Sequence, residues 1–238
     1  YHFLLLAAMV ALIVGRVRQY SNNGSVSEAV RSLFVQDARE LLERGIVSSV
    51  RALVLATEAR DSYTAGHNLR VALLALKLGE ALGLPPEQLR ALAQGGVIHD
   101  VGKVQVPDAI LNKDGPLDAG ERALIEKHPV TGYDMCRHLG LMQQEMEVIR
   151  NHHERWDGSG YPDGLAGEDI PLLARVLAVA DVFDAVTSRR SYREAWSHER
   201  AHALIREEQG RHFDPACVRA WLTLETGEIE AVVRIQGF

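Results

Sequence analysis

The chain has 238 residues, 47% of them hydrophobic and 24% charged, with a formal net charge of -6. That length holds one large domain, or one domain with a short appendage, and the composition excludes an intrinsically disordered chain. The acidic balance excludes a general electrostatic attraction to nucleic acid, so no DNA binding is expected, and positive charge toward an anionic ligand must be local. Cys136 and Cys217 are too few for a disulfide framework and have no metal-ligand spacing; they read as buried small apolar residues in a reducing compartment.

In chain order, residues 1–20 form an apolar leader. Phe3 to Val14 is uninterrupted by polar residues and is followed at once by Arg16 and Arg18. The run is shorter than a full membrane span of about 20 residues. It reads as the inner end of a transmembrane helix, with the arginines on the cytoplasmic side, or as a partner-facing helix of an upstream domain. The SNNGS segment, Ser21 to Ser25, is a linker. Residues 26–60 carry a helical stripe through Val30, Leu33, Phe34, Ala38, Leu41 and Leu42. It extends beyond what a core needs, so a signalling helix pairing with a second copy is expected, giving a homodimer below an upstream sensory or membrane segment.

From about residue 50 to 238 helical periodicity continues. Val71, Leu74, Ala75, Leu78 and Leu82 form one stripe, opened by His67 with Thr64 placed to cap it, and ended near Gly83. Pro85-Pro86 opens the next helix, Asp118 and Glu121 form a capping signal, and Asp214-Pro215 starts another. Only short stretches such as Val104 to Val106 look extended. The expected fold is therefore all-α, a helical bundle with an N-terminal helical linker and a polar, glycine-rich loop from Trp156 to Asp169.

Ten histidines are the unusual feature. His99-Asp100 ends an apolar helix, where an imidazole can bind one ion and a carboxylate can bridge two. Lys103 lies one turn on, with its ammonium available to a phosphate. The segment HHERWDGSGYPDG, His152 to Gly164, is more specific: two adjacent histidines enter a loop whose glycines allow close backbone approach to a ligand. His67 and His128, each taken alone, read more readily as satisfied polar residues. Asp181 is the better clue, because an ionised carboxylate within RVLAVADVFDAV is costly to bury without a partner or a metal. Asp184 is a candidate supporting partner. His198 and His202, at i,i+4 on a charged helix, read as a solvated surface pair.

Six ordered blocks carry a resemblance: EARDSYTAGHNLRV (58–71), HDVGKVQVPDAIL (99–111), KHPVTG (127–132), HHERWDGSGYPDGLAG (152–167), ARVLAVADVFDAVTSRRSYR (174–193) and GRHFDP (210–215). Together, over roughly Val50 to Ala220, they resemble the HD-GYP group of the HD metal-dependent phosphohydrolase superfamily. The resemblance implies an HD-domain helical bundle that hydrolyses cyclic-di-GMP to pGpG or GMP as the output of a bacterial signalling protein, in a cytoplasmic domain with a possible inner-membrane tether. It implies two divalent ions, iron or manganese first, with nickel or zinc as alternatives. His67, His99, Asp100 and Asp181 would hold one; Asp100, His128, His152 and His153 the other. Some members use a glutamate four residues before the first histidine for a third ion; here that position is Tyr63, so two are expected. Asp100 and Lys103 would be the catalytic residues. Lys103, Arg190 and Arg193 would meet phosphate and guanine, and Tyr161 a guanine, where stacking contributes about 1–3 kcal/mol. Two other readings stand beside this one: a catalytically weak module acting through protein partners, and a hydrolase of hybrid cyclic GMP-AMP. A nucleotide or RNA hydrolase of the wider superfamily is disfavoured by the GYP loop.

Overall fold

A computed structural model describes residues 54–58, 60, 66–138, 141–188 and 194–234. The leader over 1–20 and most of the linker helix over 26–60, with the dimerisation assigned to it, lie outside the described residues; so do Tyr63, Thr64, Arg190 and Arg193. Among the described residues the fold is all-α, as expected, with one isolated bridge between Gln209 and Phe213. None of their helices is long and apolar enough to cross a membrane.

The helices are α1 (His67–Ala81), α2 (Pro86–Ile98), α3 (Asp108–Leu111), α4 (Ala119–Ile125), α5 (His128–Cys136), α6 (Gln143–Asn151), α7 (Leu172–Thr187), α8 (His198–Glu207), α9 (Pro215–Trp221) and α10 (Thr226–Val233). Their boundaries follow local chemistry. Leu82 closes α1 and Gly83 turns the chain at a φ of 72°, a region that only glycine enters without cost. Pro86 begins α2, where its missing N–H is no loss. Asp118 and Glu121 form a reciprocal capping box on α4. The Asp214 carboxylate caps α9 by accepting the Ala216 N–H at 2.6 Å.

Helix α7 is the axis of the core. Its sequence is apolar almost all round, which suits a helix packed on several sides rather than one. It lies against α1, α6, α8 and α9. Phe183, on α7, is fully buried against Trp221 of α9, their ring centroids 5.0 Å apart. Two of the spare histidines belong to this contact. His198 and His202 pack at a tilt against Phe183, with centroids at 5.4 and 5.3 Å, and Trp221 donates its indole N–H to His202 Nδ1 at 3.1 Å. The expectation of a solvated pair on α8 is corrected: the indole needs an acceptor when buried, and His202 supplies it.

The segment after α2 also departs from expectation. The sequence predicts extended backbone over Val104 to Val106; Val101–Gln105 forms a 3-10 turn instead, and Val106 alone is extended. β-branched residues favour strands only where a sheet exists to receive them; here the turn packs against α5 instead. Gly102 allows that approach. A Cβ there would stand 2.6 Å from Gly132 N and nearer still to the His128 carbonyl oxygen, with backbone on both sides. This is the contact that holds Asp100 beside His128. Gly102→Ala is expected to lower unfolding free energy by about 1–3 kcal/mol, the cost of overpacking, read as a shifted urea midpoint with an unchanged slope.

Candidate metal centre

The site forms where helix ends meet. His67 is the first residue of α1, His99 caps the C-terminus of α2, and Asp100 leads into the 3-10 turn. His128 opens α5, His152 caps α6 with His153 following, and Asp181 projects from α7. All seven residues predicted as ligands come together. The side-chain donor atoms of Asp100, His128, His152 and His153 lie within 4.8 Å of one another, and so do those of His67, His99 and Asp100. Asp181 joins the second group through His67, its Oδ1 3.2 Å from His67 Nε2.

Asp100 belongs to both groups, and its two oxygens divide between them. Oδ1 stands 3.2 Å from His128 Nε2 and 3.9 Å from His152 Nε2. Oδ2 stands 3.5 Å from His99 Nε2, 4.0 Å from His67 Nε2 and 2.6 Å from Lys103 Nζ. Burial works to raise the Asp100 pKa, but Lys103, His99 and His128 outweigh it and hold the carboxyl well below its ordinary range. The group is thus a carboxylate with both oxygens directed at imidazoles.

Three imidazoles are aimed by the same device. His99, His128 and His152 each donate Nδ1–H to the carbonyl oxygen three residues earlier: Gly96 at 2.6 Å, Ile125 at 2.8 Å and Ile149 at 2.9 Å. Those carbonyls lie in the last turns of α2, α4 and α6, where helices leave acceptors unsatisfied. A carbonyl only accepts, so the proton sits on Nδ1 and each Nε2 presents a lone pair to the centre. His67 is aimed differently. Its Nδ1 lies 2.7 Å from Asp184 Oδ2, and the Arg70 guanidinium holds Asp184 by Nε at 2.6 Å and Nη2 at 3.0 Å. Asp184 is therefore the supporting partner the sequence suggested, with Arg70 behind it.

These residues fit a cation. His99 Nε2 is buried and has no hydrogen-bond partner among the described residues; Asp100 Oδ1 makes no hydrogen bond either. His128 Nε2 and His152 Nε2 face each other at 3.2 Å with their lone pairs inward, a repulsive arrangement unless positive charge lies nearby. Burial, the largest effect, lowers the pKa of His99, His152 and His153, so all three are neutral, as a metal ligand must be. Burial also works to lower that of His67, but hydrogen bonds to Asp181 and Asp184 lift it to about 10. The mixed imidazole and carboxylate set suits iron, manganese, nickel or zinc better than calcium.

The GYP loop closes one side. Tyr161 lies over His153, ring centroids 4.9 Å apart at 32°, and its N–H donates to the His153 carbonyl at 3.2 Å. Sequence reasoning missed the residue that shapes this loop. Glu154 is 2% exposed and accepts three backbone N–H groups, from Asp163 at 2.7 Å and from Gly164 and Leu165 at 3.1 Å each. Gly160 allows the loop to fold down onto it, since a Cβ would meet Glu154 Cα and the His153 carbonyl oxygen at 2.6 Å. The available signal was position: a carboxylate directly after the histidine pair, ahead of a loop rich in N–H donors. The GRHFDP segment also braces the loop, its His212 and Arg211 carbonyls accepting Trp156 and Asp157 N–H at 3.1 and 2.9 Å. Glu154→Gln turns an amide donor toward these N–H groups. It is expected to cost about 1–3 kcal/mol from an unsatisfied buried donor, measured by thermal unfolding, with faster amide exchange at residues 163–165.

Comparison with known proteins agrees with this geometry. Residues 43–217 match the HD domain family. The chain is 44% identical over 172 residues to a cyclic di-GMP phosphodiesterase response regulator of Xanthomonas campestris, covering 71% of this chain and 46% of that protein. It is 42% identical over 172 residues to the 3'3'-cGAMP-specific phosphodiesterase 2 of Vibrio cholerae, covering 71% and 33%. To a cyclic di-GMP phosphodiesterase of Pseudomonas aeruginosa it is 35% identical over 240 aligned residues, covering 98% and 56%. The chain therefore spans only 33% to 56% of the length of these relatives. An HDG"Y"P protein from Bdellovibrio bacteriovorus has the same fold, with a TM-score of 0.58 at 20% identity over 85% of this chain and 74% of that one. With its histidine–aspartate cluster joined to the Gly160-Tyr161-Pro162 loop, the chain belongs to the HD domain family, in its HD-GYP group.

Proposed function

We propose that this chain hydrolyses phosphodiester bonds of a cyclic dinucleotide, cyclic-di-GMP first, in a metal-dependent reaction yielding pGpG or GMP. The observation that carries the reading is the division of Asp100, one oxygen toward His128 and His152, the other toward His99 and His67. Two divalent ions fit that division. One would be held by His67, His99, Asp100 and Asp181, the other by Asp100, His128, His152 and His153. Iron or manganese suits the donors best.

Such ions, when bound, polarise phosphoryl oxygens and make water a nucleophile near neutral pH. The chain's own residues do the rest. Backbone carbonyls hold three imidazoles in one tautomer, so their lone pairs are set before substrate arrives, and Asp184 orients His67. Lys103 lies against Asp100 and provides a local positive charge for a substrate phosphate, in a chain of net charge -6. Tyr161, tilted over His153, is assigned to stacking with a base. Arg190 and Arg193, assigned to phosphate and guanine from the sequence, lie outside the described residues and remain part of this proposal, as does the homodimer.

Relatives include proteins named for cyclic-di-GMP and for 3'3'-cGAMP, so the hybrid dinucleotide is the second reading. Product analysis on both substrates separates the two. A third reading, a protein-binding module without turnover, is disfavoured by a complete ligand set. Asp100→Ala is expected to lose bound metal and to lower turnover by more than about a hundredfold, beyond the usual effect of supporting residues; normal metal content and turnover would refute the shared carboxylate. Lys103→Ala is expected to weaken substrate binding with metal content unchanged, measured by calorimetry and metal analysis; loss of metal would make Lys103 a structural residue.

A further inference from the structure

Arg60 lies outside the ligand cluster, ahead of α1. Val54 and Thr57 just before it are buried, so this stretch is fixed to the core. The Arg60 guanidinium reaches across more than forty residues to the 3-10 turn after His99-Asp100. Nη1 donates to the Val104 carbonyl oxygen and Nη2 to the Val106 carbonyl oxygen at 2.8 Å. Nε and Nη2 also donate to Asp108 Oδ1, at 3.0 and 2.7 Å. In return, Asn112 Nδ2 donates to the Arg60 carbonyl oxygen at 2.9 Å.

The two carbonyl contacts matter more than the ion pair. Asp108 has 68% of its side chain exposed, and a pair this open is screened and contributes little. Val104 and Val106 lie just after Lys103, whose N–H bonds the Asp100 carbonyl at 3.0 Å and whose own carbonyl accepts the Val106 N–H at 2.9 Å. Three donors in one plane, directed at two carbonyls and a carboxylate, are what a guanidinium provides and an ammonium cannot.

We propose that Arg60 is a positioning residue, holding the turn that sets Lys103 against Asp100. Through this fork, the stretch that carries Val54, Thr57 and Arg60 connects directly to the turn that carries the shared carboxylate and its lysine. A shift of that segment is thereby transmitted to Lys103 without passing through the core. The inference rests on the function proposed above for its catalytic consequence, and on the hydrogen bonds alone for its structural one.

The test uses the full chain loaded with manganese, comparing wild type with Arg60→Ala, Arg60→Lys and Asp108→Asn. In Arg60→Ala, amide exchange at Lys103 and Val106 should rise at least about tenfold while α2 and α7 stay protected. The kcat/KM should fall by about ten- to a hundredfold, the range for residues that support a site, through a raised KM as expected for Lys103→Ala, with metal content near wild type. Arg60→Lys should recover part of both effects, and Asp108→Asn should leave both unchanged. Unchanged exchange at Lys103 and Val106 in Arg60→Ala overturns the proposal. So does an equal effect from Asp108→Asn, which would assign the clamp to the surface ion pair. If wild type hydrolyses no cyclic dinucleotide, the assigned activity fails, and the exchange data alone decide the role of Arg60.

Discussion

The structure turns on one carboxylate. Asp100 is 2% exposed and ionised, with five polar neighbours within 4.0 Å: four imidazole nitrogens and an ammonium. A buried carboxylate is tolerable only with compensating charge or hydrogen bonds. Lys103 and His67 bring positive charge to one oxygen, whereas His99 and His152 are neutral. The arrangement is consistent when positive charge lies between them. Six of the proposed ligands sit at or beside helix ends, and Asp181 comes from the middle of α7.

The scaffold meets it in layers. Carbonyls at the ends of α2, α4 and α6 set three imidazoles, so the same groups finish a helix and fix a tautomer. Helix α7 contributes Asp181 and Asp184 from an otherwise apolar surface, and Arg70 neutralises the more deeply buried of them. Beyond that, Glu154 shapes the GYP loop and Arg60 fastens the turn carrying Lys103. Each layer holds the next in place by hydrogen bonds to backbone or to paired charge. A site held this way keeps its geometry when the substrate arrives.

Much of this was legible in the chain. The stripe through Val71, Leu74 and Leu78, the Asp118 capping box and the Asp214-Pro215 start are local signals, set within one or two turns, and each helix formed where expected. Asp181 and Asp184 stood out because charge within an apolar run demands an explanation. The seven converging residues were legible through six ordered blocks, not through any one of them. What escaped were contacts made at a distance or to backbone. Glu154 binds backbone N–H groups, so its position after the histidine pair was the one signal it left. Arg60 binds carbonyls 44 and 46 residues away. Val104 to Val106 carried a strand-like composition, but no sheet was there to use it. His202 looked solvated because its partner, Trp221, lies on another helix.

The most direct measurement of the central claim is anomalous diffraction from crystals of the manganese-loaded protein, recorded at the metal edge. The account predicts two peaks flanking the Asp100 carboxylate, one beside His67, His99 and Asp181, the other beside His128, His152 and His153. A single peak, or peaks away from Asp100, would contradict it.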